Sequence, residues 1–468
     1  MKTYDMILIG FGKAGKTLAV KSAKKGKKVA LIEKDPAMYG GTCINVGCIP
    51  SKRLITEAAF APEDDFELQK IHYKAAIENK NALTAALRAA NYNKLIEAGV
   101  DVINGTASFL NSSSIEVKDA NGNTQTLEAK KIVINTGSLP FIPENLITEN
   151  NTRVFVSDTV MNLTELPERL TGVGRGYIGL EFSSMYANFG SNVTIVQREE
   201  EFLPKEDRDI AEAIKGVLAS KGISLITGAH IKSIEGANLS YTKNAQDLTL
   251  AGDAVLLALG RRPNLAALHV EKAGIALTER GAIATDEHLR TSVPNIWAAG
   301  DVCGNLQFTY ISLDDSRIIL SDMNETKERT TENRGAFSYS VFIDPPYSKV
   351  GLGEKEAKAQ NLDYRVVKMN AAAIPKSKVL KKSEGMLKAL IDDKTGLILG
   401  AALFCAESHE IINTIKLAMD HNIPYTVLRD FIYTHPTMSE GLNDLFALQD
   451  ADYTSAGMTM YNFLLQNP

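Results

Sequence analysis

Apolar residues near the start of the chain fall into two short runs separated by a mixed stretch. Residues 4–9 and 29–32 are mostly apolar, which is typical of strands that are buried on both faces. Residues 13–25 between them combine lysines with apolar residues at helical spacing. The pattern predicts a strand–helix–strand unit at the beginning of the chain.

Glycines occupy the turn between the first strand and this helix. Gly10, Gly12 and Gly15 follow the pattern G-x-G-x-x-G, and Glu33 stands at the end of the second strand. The first glycine permits a tight turn, the second lets the backbone approach a pyrophosphate, and the third lets the helix pack on the strand. The acid is placed to accept a ribose hydroxyl. The unit predicts a dinucleotide site, with a chance glycine turn as the alternative.

The same pattern returns in the middle of the chain. Gly174, Gly176 and Gly179 repeat the spacing, residues 180–189 continue as a predicted helix, and residues 193–196 form the following strand. Either the chain binds two dinucleotides, or the unit was duplicated and one copy has no ligand. Two intact loops favour two ligands.

The end of the strand at 193–196 bears on the identity of the second nucleotide. Gln197 stands where an NAD site usually has an acid, and Arg198 beside it could pair with a 2′-phosphate. Gln197 does not repel a phosphate, so the two residues favour NADPH, although the three glutamates at positions 199–201 weaken that preference. The alternative is that Arg198 is a solvated surface charge.

A third nucleotide signal lies in the segment TSVPNIWAAGDVCG. A short apolar strand ends there at Gly300 and Asp301. An acid at the end of a strand can bond the sugar-like linker of a flavin nucleotide. After two dinucleotide loops, this segment indicates a flavin cofactor.

Two of the four cysteines lie five positions apart in GGTCINVGCIPSK. Cys43 and Cys48 precede a helical stretch, where backbone N–H groups stabilise a thiolate. A disulfide between them could accept two electrons from a reduced flavin and pass them on by thiol exchange. Zinc would need a second ligand pair, and Cys303 and Cys405 stand alone, so we predict no metal site. Two buried structural thiols are the alternative.

Length and composition limit the class of protein. A chain of 468 residues is too long for one core, so about two to four domains are expected. A net charge of −5 offers no basic surface for nucleic acid or membranes, and the apolar runs are too short to span a bilayer. Four cysteines do not make a secreted disulfide framework and no signal peptide is evident, so we expect a cytoplasmic protein.

A histidine and an acid near the C-terminus form a candidate acid–base pair. His435 and Glu440 lie five positions apart, across a proline. A carboxylate beside an imidazole orients the ring and raises its basicity. The pattern alone leaves open whether His435 is functional or an ordinary structural histidine.

Five segments in this order resemble the flavoprotein disulfide reductases over nearly the whole chain: GGTCINVGCIPSK, GRGYIGLEF, LGRRPN, IWAAGDV and HPTMSE. The resemblance implies an α/β fold with two Rossmann-like dinucleotide-binding domains and a C-terminal α+β dimerisation domain. The implied boundaries are residues 1–149 and 269–335 for the FAD domain, 150–268 for the NAD(P)H domain, and 336–468 for the interface domain of a homodimer.

The resemblance also implies catalytic roles. Cys48 would face the flavin and Cys43 would exchange with substrate, while His435, assisted by Glu440, would act on Cys43 of the other subunit. The active site would therefore be shared across the dimer interface.

Further residues are implied to surround the cofactors. Lys52 would lie beside the flavin and pair with Glu181, and Tyr177 would shield the flavin until the nicotinamide enters. The implied FAD-binding residues are Gly10, Gly12, Gly15, Glu33, Gly41, Thr42, Lys52, Gly137 and Asp301. Those implied for the nicotinamide nucleotide are Gly174, Gly176, Tyr177, Gly179, Gln197, Arg198 and Gly260.

The segment after Asp301 distinguishes this chain from the lipoamide enzymes of the family. It places Phe308 and Tyr310 where relatives have smaller groups, and an aromatic lid there would disfavour a bulky lipoyl or peptide substrate. The segments GFGKAGKTLA, AMYGGTCIN and LQFTYISLDD resemble the reactive-chlorine-resistance flavoproteins, which include bacterial hypothiocyanous acid reductases. Two arginines, Arg53 and Arg175, depart from the family pattern near the active site and the second glycine loop.

The resemblance thus implies an FAD-dependent NAD(P)H oxidoreductase that reduces a small oxidised acceptor, with hypothiocyanous acid as the first candidate. The alternatives are a general disulfide reductase or dihydrolipoamide dehydrogenase, and a reductase of mercury or copper ions.

Overall fold

The computed structural model describes residues 2–143, 145–147 and 151–448. The helices are α1 (Lys13–Ala23), α2 (Thr42–Asn45), α3 (Cys48–Ala58), α4 (Phe66–Glu97), α5 (Ser157–Val160), α6 (Tyr177–Asn188), α7 (Arg208–Ser220), α8 (Thr309–Met323), α9 (Glu354–Ala359), α10 (Pro375–Val379), α11 (Ser408–Asp420), α12 (Tyr425–Asp430) and α13 (Gly441–Ala447). Short 3-10 turns cover Pro36–Met38, Val270–Ala273, Gly300–Cys303 and Ala371–Ala373.

The strands are β1 (Lys2–Ile9), β2 (Val29–Glu33), β3 (Asp101–Asn104), β4 (Thr106–Phe109), β5 (Ser114–Lys118), β6 (Thr124–Ile134), β7 (Ser138–Pro140), β8 (Val154–Val156), β9 (Arg169–Val173), β10 (Asn192–Val196), β11 (Ser224–Ile226), β12 (His230–Glu235), β13 (Asn238–Lys243), β14 (Gln246–Leu250), β15 (Ala254–Leu257), β16 (Arg261–Pro263), β17 (Ile296–Ala298), β18 (Ser338–Val341), β19 (Tyr347–Gly351), β20 (Tyr364–Asn370), β21 (Met386–Asp392) and β22 (Ile398–Phe404).

The chain folds into two compact units. The first unit runs to Leu166 and resumes over Leu256–Arg334. The second unit comprises Pro167–Val255 and the chain from Gly335 onward. The three-domain division expected from the sequence stays a prediction, and residues 449–468 of its last domain lie outside the described residues.

A mainly parallel sheet forms the centre of the first unit. Its order is β3-β2-β1-β6-β5-β4, and β17 pairs with β6 beside this path. In β1, Met6 and Leu8 belong to one buried cluster, whereas Ile7 and Ile9 belong to another. Successive side chains of a strand point to opposite faces, so both faces of this sheet are buried. This explains why the apolar run is nearly continuous rather than alternating.

The predicted strand–helix–strand unit at the start of the chain is confirmed. β1 and β2 are parallel neighbours, and α1 connects them. The helix ends at Ala23, two residues earlier than predicted, and Gly26 then turns the chain at a φ of +75°. Glycine reaches such angles at little cost, so the turn stops the helix.

The second unit holds the second predicted strand–helix–strand unit, which is also confirmed. α6 lies between the parallel strands β9 and β10, and β11 extends that sheet. The C-terminal part is an antiparallel sheet of order β18-β19-β22-β21-β20. Apolar side chains of α11 and α13, including Ile411, Ile415 and Leu442, share a buried cluster with strands of this sheet. The fold is therefore mixed α/β, as predicted.

A fully buried lysine forms ion pairs with three acids in the second unit. Lys388 Nζ donates to Asp209 Oδ1 at 2.9 Å and pairs with Asp207 at 2.9 Å and Glu354 at 2.5 Å. Burial raises the pKa of Asp209, but hydrogen bonds from Lys388 and Lys368 outweigh it, and the net shift is downward. Among the described residues, these three acids form the group with metal-ligand spacing, and Lys388, Lys368 and Lys358 together supply their counter-charge.

Within the described ranges, no helix combines the length and the apolar character needed to cross a bilayer.

Candidate active site

The first glycine loop is packed too closely for side chains. A Cβ atom on Gly10 would lie 2.4 Å from the carbonyl oxygen of Asn135, and one on Gly12 would lie 2.3 Å from Asn135 Oδ1. On Gly15 it would lie 2.5 Å from the carbonyl oxygen of Gly10. All three contacts are far below normal van der Waals separation, so only glycine fits. The loop leads into the N-terminus of α1, the arrangement that binds a pyrophosphate.

Asn135, the residue after β6, is buried against this loop, and the sequence analysis missed it. Gly15 N donates to Asn135 Oδ1 at 2.9 Å, and Asn135 Nδ2 donates to the carbonyl of Ala299 at 2.6 Å. The side chain therefore ties the glycine loop to the chain just before Gly300 and Asp301. A polar residue directly after the apolar end of β6 was the available signal.

Glu33, the acid that the sequence predicts for nucleotide binding, lies partly buried beside the loop. Phe11 N donates to Glu33 Oε2 at 2.9 Å and Asp35 N to Glu33 Oε1 at 3.2 Å. Burial nevertheless raises the pKa of Glu33. A carboxylate under such desolvation gains from a further hydroxyl donor, and the ribose of a nucleotide supplies one. The residues therefore fit the group that the sequence predicts.

Asp301 has a similar environment. Ser138 Oγ donates to Asp301 Oδ2 at 2.7 Å, and Arg261 Nε donates in turn to Ser138 Oγ at 2.9 Å. Burial raises the pKa of Asp301, while Ser138 and Arg261 oppose the rise. Ser138 and Arg261 were not singled out from the sequence, because they are far from Asp301 along the chain.

The segment before Cys43 approaches the glycine loop directly. Gly41 has a φ of +82°, and a Cβ atom there would lie 2.9 Å from Gly12 Cα. Gly137 has a φ of +71°, and the nearest atom to a Cβ there would be Thr42 Oγ1 at 3.9 Å. The predicted residues Gly41, Thr42 and Gly137 therefore lie together beside the first dinucleotide loop.

Each of the paired cysteines lies in the first turn of a helix. Cys43 belongs to the short helix α2, and Cys48 is the first residue of α3. The two are thus on different helices rather than at one N-terminus, because Val46 and Gly47 break the helix between them. Both are free thiols, and Cys48 Sγ lies 3.4 Å from Thr309 Oγ1.

The two thiols differ in pKa. A hydrogen bond from Cys48 lowers the pKa of Cys43 to about 6. Burial acts in the opposite direction, whereas Thr309, Lys16 and Lys13 also lower this pKa. The same contact with Cys43, together with burial, raises the pKa of Cys48. The protein groups therefore favour a thiolate on Cys43, held by the Cys48 thiol.

Lys52 and Glu181 are placed by different elements. Lys52 follows Cys48 on α3, and its positive charge acts to lower the pKa of Cys48 against larger opposing contributions. Glu181 Oε1, on α6, accepts a hydrogen bond from Phe342 N at 2.8 Å. Because the two belong to different units, the pairing between them stays a prediction. Arg53 forms an i, i+4 ion pair with Glu57 at 2.5 Å.

The second glycine loop leads into α6. Gly174 has a φ of +133°, Gly176 is the residue before the helix, and Gly179 is buried within it. Tyr177 is the first helical residue, and its hydroxyl donates to the buried carboxylate of Glu206. Gly260, with a φ of +111°, follows β15.

Glu206 collects two further tyrosines. Tyr339 Oη donates to Glu206 Oε1 at 2.8 Å, and Tyr347 donates to the second carboxylate oxygen. Tyr177 Oη also lies 3.0 Å from Tyr339 Oη. The orientation of Tyr177 is therefore fixed within the second unit. This cluster could not be predicted from the sequence, because its members come from four separate segments.

The turn after β10 is held by Gln197. Its buried amide nitrogen donates to the carbonyls of Glu199 at 2.8 Å and Glu201 at 3.0 Å. These bonds give Gln197 a role in shaping the turn, and its contact with a nucleotide stays a prediction. Arg198 is exposed beside it. Arg175 of the glycine loop pairs with Glu199 at 3.4 Å.

His435 and Glu440 are in contact. His435 Nδ1 lies 2.8 Å from Glu440 Oε2, and Thr437 N donates to Glu440 Oε1 at 3.0 Å. The bond with His435 lowers the pKa of Glu440, so the acid is a carboxylate that orients the ring. The imidazole itself is 70% exposed, which leaves Nε2 accessible to another group.

Comparisons with known proteins agree with this geometry. Residues 4–316 match the model of the pyridine nucleotide-disulphide oxidoreductase family, and residues 337–446 match the dimerisation domain of that family.

Several relatives match nearly the whole chain. The probable pyridine nucleotide-disulfide oxidoreductase RclA of Escherichia coli strain K12 is 47% identical over 449 residues, which cover 96% of this chain and 100% of that protein. Mercuric reductase of Staphylococcus aureus is 32% identical, over 94% of this chain and 81% of that protein. Dihydrolipoyl dehydrogenase of Geobacillus stearothermophilus is 31% identical, over 93% of this chain and 94% of that protein.

A solved structure gives the same relationship. The Cu(II) complex of the HOCl-induced flavoprotein disulfide reductase RclA from Escherichia coli has a TM-score of 0.90 at 45% identity, covering 96% of this chain and 99% of that one. The chain therefore belongs to the pyridine nucleotide-disulfide oxidoreductases, flavoprotein enzymes that use FAD and a nicotinamide nucleotide and carry a C-terminal dimerisation domain.

Proposed function

We propose that this enzyme uses NADPH to reduce hypothiocyanous acid at the Cys43–Cys48 pair. The observation that carries the proposal is the aromatic pair beside these thiols. Thr309 lies against Cys48, and Phe308 and Tyr310 on either side of it stack on each other with ring centroids 5.3 Å apart. Such an aromatic pair favours a small acceptor over a lipoyl or peptide disulfide.

Similarity to RclA supports an oxidant of this chemical class. That protein is described as induced by HOCl. HOCl oxidises thiocyanate to hypothiocyanous acid and chloride, so the two oxidants occur together. Hypothiocyanous acid carries an electrophilic sulfur, which is the natural target of a thiolate.

Bound FAD would supply the two-electron relay between NADPH and the disulfide. Gly10, Gly12 and Gly15 would hold its pyrophosphate at the N-terminus of α1, and Glu33 would accept a ribose hydroxyl. Asp301, supported by Ser138, would bond the ribityl chain. Lys52 would lie beside the ring system and pair with Glu181.

The reduced cysteines then act in sequence. The Cys43 thiolate attacks the sulfur of hypothiocyanous acid, forms Cys43–S–SCN, and releases hydroxide, which takes one proton to become water. Cys48 then attacks the Cys43 sulfur, the S–SCN bond breaks, and thiocyanate leaves as the disulfide forms. Two electrons pass from the dithiol to the substrate. The lowered pKa of Cys43 supports its role as the attacking sulfur.

The partner subunit's His435 would supply the proton for the leaving hydroxide. Glu440 orients the ring through Nδ1 and leaves Nε2 exposed. A dimer would therefore be required for turnover. The matched dimerisation domain supports this arrangement.

NADPH is proposed over NADH because two of the three acids after β10 are held in ion pairs. Arg175 pairs with Glu199 at 3.4 Å, and Arg208 pairs with Glu201 at 3.0 Å. The Glu200 carboxylate lies against Gly228, where a Cβ would meet it at 2.0 Å. Arg198 is then the exposed charge available to a 2′-phosphate.

Reduction of a soft metal ion is the second candidate. Two adjacent thiols suit Cu or Hg ions, the relative RclA was solved as a Cu(II) complex, and mercuric reductase is among the relatives.

An acceptor comparison tests the proposal. With purified FAD-loaded enzyme and NADPH, kcat/KM for hypothiocyanous acid should exceed that for lipoamide, glutathione disulfide, Hg(II) or Cu(II) by at least about tenfold. Cys43→Ser should show no turnover and serves as the control. Faster turnover of lipoamide, or of either metal ion, would refute the substrate assignment while leaving the family intact.

Replacing Cys48 by serine tests the roles of the two sulfurs. The variant should keep its FAD but lose the long-wavelength absorbance of a thiolate beside a flavin, because the bound flavin would stabilise the Cys48 thiolate that the protein groups alone disfavour. Cys43→Ser, reduced in the same way, should keep that band. If the band persists in Cys48→Ser, the two sulfurs have been assigned the wrong way round.

His435→Ala should separate the two half-reactions. Flavin reduction by NADPH, followed by stopped flow, should keep its rate, whereas reoxidation by acceptor should slow about 100-fold, as expected when a general acid–base is removed. His421→Ala, an exposed histidine in the same unit, is the matched control. Equal losses in both half-reactions would remove the assigned role.

Arg198→Ala should lower the ratio of kcat/KM for NADPH to that for NADH by about tenfold, because a charged contact to the 2′-phosphate is lost. Lys205→Ala removes an exposed charge from the same loop and should leave the ratio unchanged. An unaltered ratio in Arg198→Ala would discard Arg198 as the phosphate ligand.

A further inference from the structure

Lys16 is a largely buried lysine on α1, the helix that begins at the first glycine loop. Its Nζ donates to the carbonyl oxygen of Gly40 at 3.0 Å and to Asn91 Oδ1 at 2.8 Å. Both acceptors are neutral. Within the described ranges no carboxylate pairs with this amine, although a buried ammonium normally needs a counter-charge.

Cys43 is an ionisable group within electrostatic reach of Lys16, on the segment that Lys16 binds through Gly40. It follows Gly40 by three residues, and as a thiolate it raises the pKa of Lys16 against a larger lowering by burial. Lys13 of α1 and Lys94 of α4 also face Lys16, and both lower its pKa. The balance leaves the pKa of Lys16 at about 8, so it is charged near neutral pH.

The segment around Cys43, residues 39–45, is held in place by hydrogen bonds. Asn45 Nδ2 donates to the carbonyls of Tyr39 and Gly41, each at 3.0 Å. Arg88 of α4 donates through Nε to Asn45 Oδ1 at 2.9 Å. The segment carrying Cys43 is thus held from α4 as well as from α1, and the amine keeps a constant position relative to the sulfur.

We propose that Lys16 is a positioning residue for Cys43, which fixes the cysteine segment through Gly40 and supplies the buried positive charge that stabilises the Cys43 thiolate. The proposal rests on the proposed function in taking Cys43 as the sulfur that attacks the acceptor. Lys16, on helix α1 after the first glycine loop, would then increase the fraction of Cys43 that is present as the reactive thiolate.

The remaining groups around the thiols do not replace this charge. Cys48 and Thr309 reach Cys43 as neutral hydrogen-bond donors, and Lys13 gives a smaller contribution than Lys16. On the Cys48 side, Lys52 acts on Cys48, and Tyr310 faces the same sulfur as a neutral phenol with a raised pKa. The charge of Lys16 is lost as the pH rises through about 8. Lys16 therefore stabilises the Cys43 thiolate below that pH and not above it.

Alkylation of the reduced holoenzyme tests the proposal without any acceptor. The disulfide is reduced with a phosphine, iodoacetamide is added over a pH range that brackets about 6, and peptide mapping follows Cys43. Lys16→Met should raise the midpoint of alkylation by roughly one pH unit, which means about tenfold slower reaction below the midpoint. Lys16→Arg should restore the midpoint, because the charge returns.

Lys21→Met removes an exposed charge from the same helix and should leave the profile unchanged. FAD content and flavin reduction by NADPH are measured in parallel, so that a misfolded variant is recognised; Lys16→Gln serves if Lys16→Met does not hold FAD. An unshifted midpoint in a folded variant overturns the proposal. A shift that Lys16→Arg fails to restore overturns the role of charge. If the alkylation results are as expected but the enzyme does not reduce hypothiocyanous acid, only the proposed substrate is refuted.

Discussion

The approach of two glycines to each other is the constraint on which the active site depends. Gly41, just ahead of the redox cysteines, lies so close to Gly12 that a Cβ atom would come within 2.9 Å of the Gly12 α-carbon. A side chain on Gly41 would push the cysteine segment away from the dinucleotide loop, whereas one on Gly12 would clash with Asn135. The absence of a side chain on Gly41 lets the segment that carries Cys43 lie directly against the first glycine loop, as the proposed relay from a nucleotide to the sulfurs requires. The pyrophosphate-binding helix and the thiol chemistry therefore share a single packing arrangement.

Carboxylates organise both units by accepting hydrogen bonds. Glu33 holds two backbone N–H groups beside the first loop, and Glu206 holds three tyrosine hydroxyls in the second unit. Glu440 orients His435 in the same way. A buried carboxylate is costly unless its oxygens are satisfied, so Glu206 fixes the positions of its donors. Glu33 and Glu440 are more exposed and position their donors through the hydrogen bonds themselves. Chemistry and support are thus provided by the same kind of interaction.

The sequence predicted those features that are encoded locally. Both strand–helix–strand units, their glycine loops and the contact between His435 and Glu440 follow from residues that are near neighbours along the chain. Asn135 was missed because it reaches Gly15 and Ala299 across large sequence separations. The interruption between Cys43 and Cys48 was also missed, since the break at Val46 and Gly47 depends on backbone angles that residue spacing does not reveal.

The tyrosines around Glu206 have a consequence for how the second unit comes apart. Tyr177 begins the nucleotide-binding helix, whereas Tyr339 and Tyr347 belong to the C-terminal antiparallel sheet. Pulling the helix away from that sheet would strand a buried anion without its donors, so partial opening is penalised. Heat should thus melt this half of the protein as one cooperative block, with no long-lived state in which only the nucleotide-binding part has come loose.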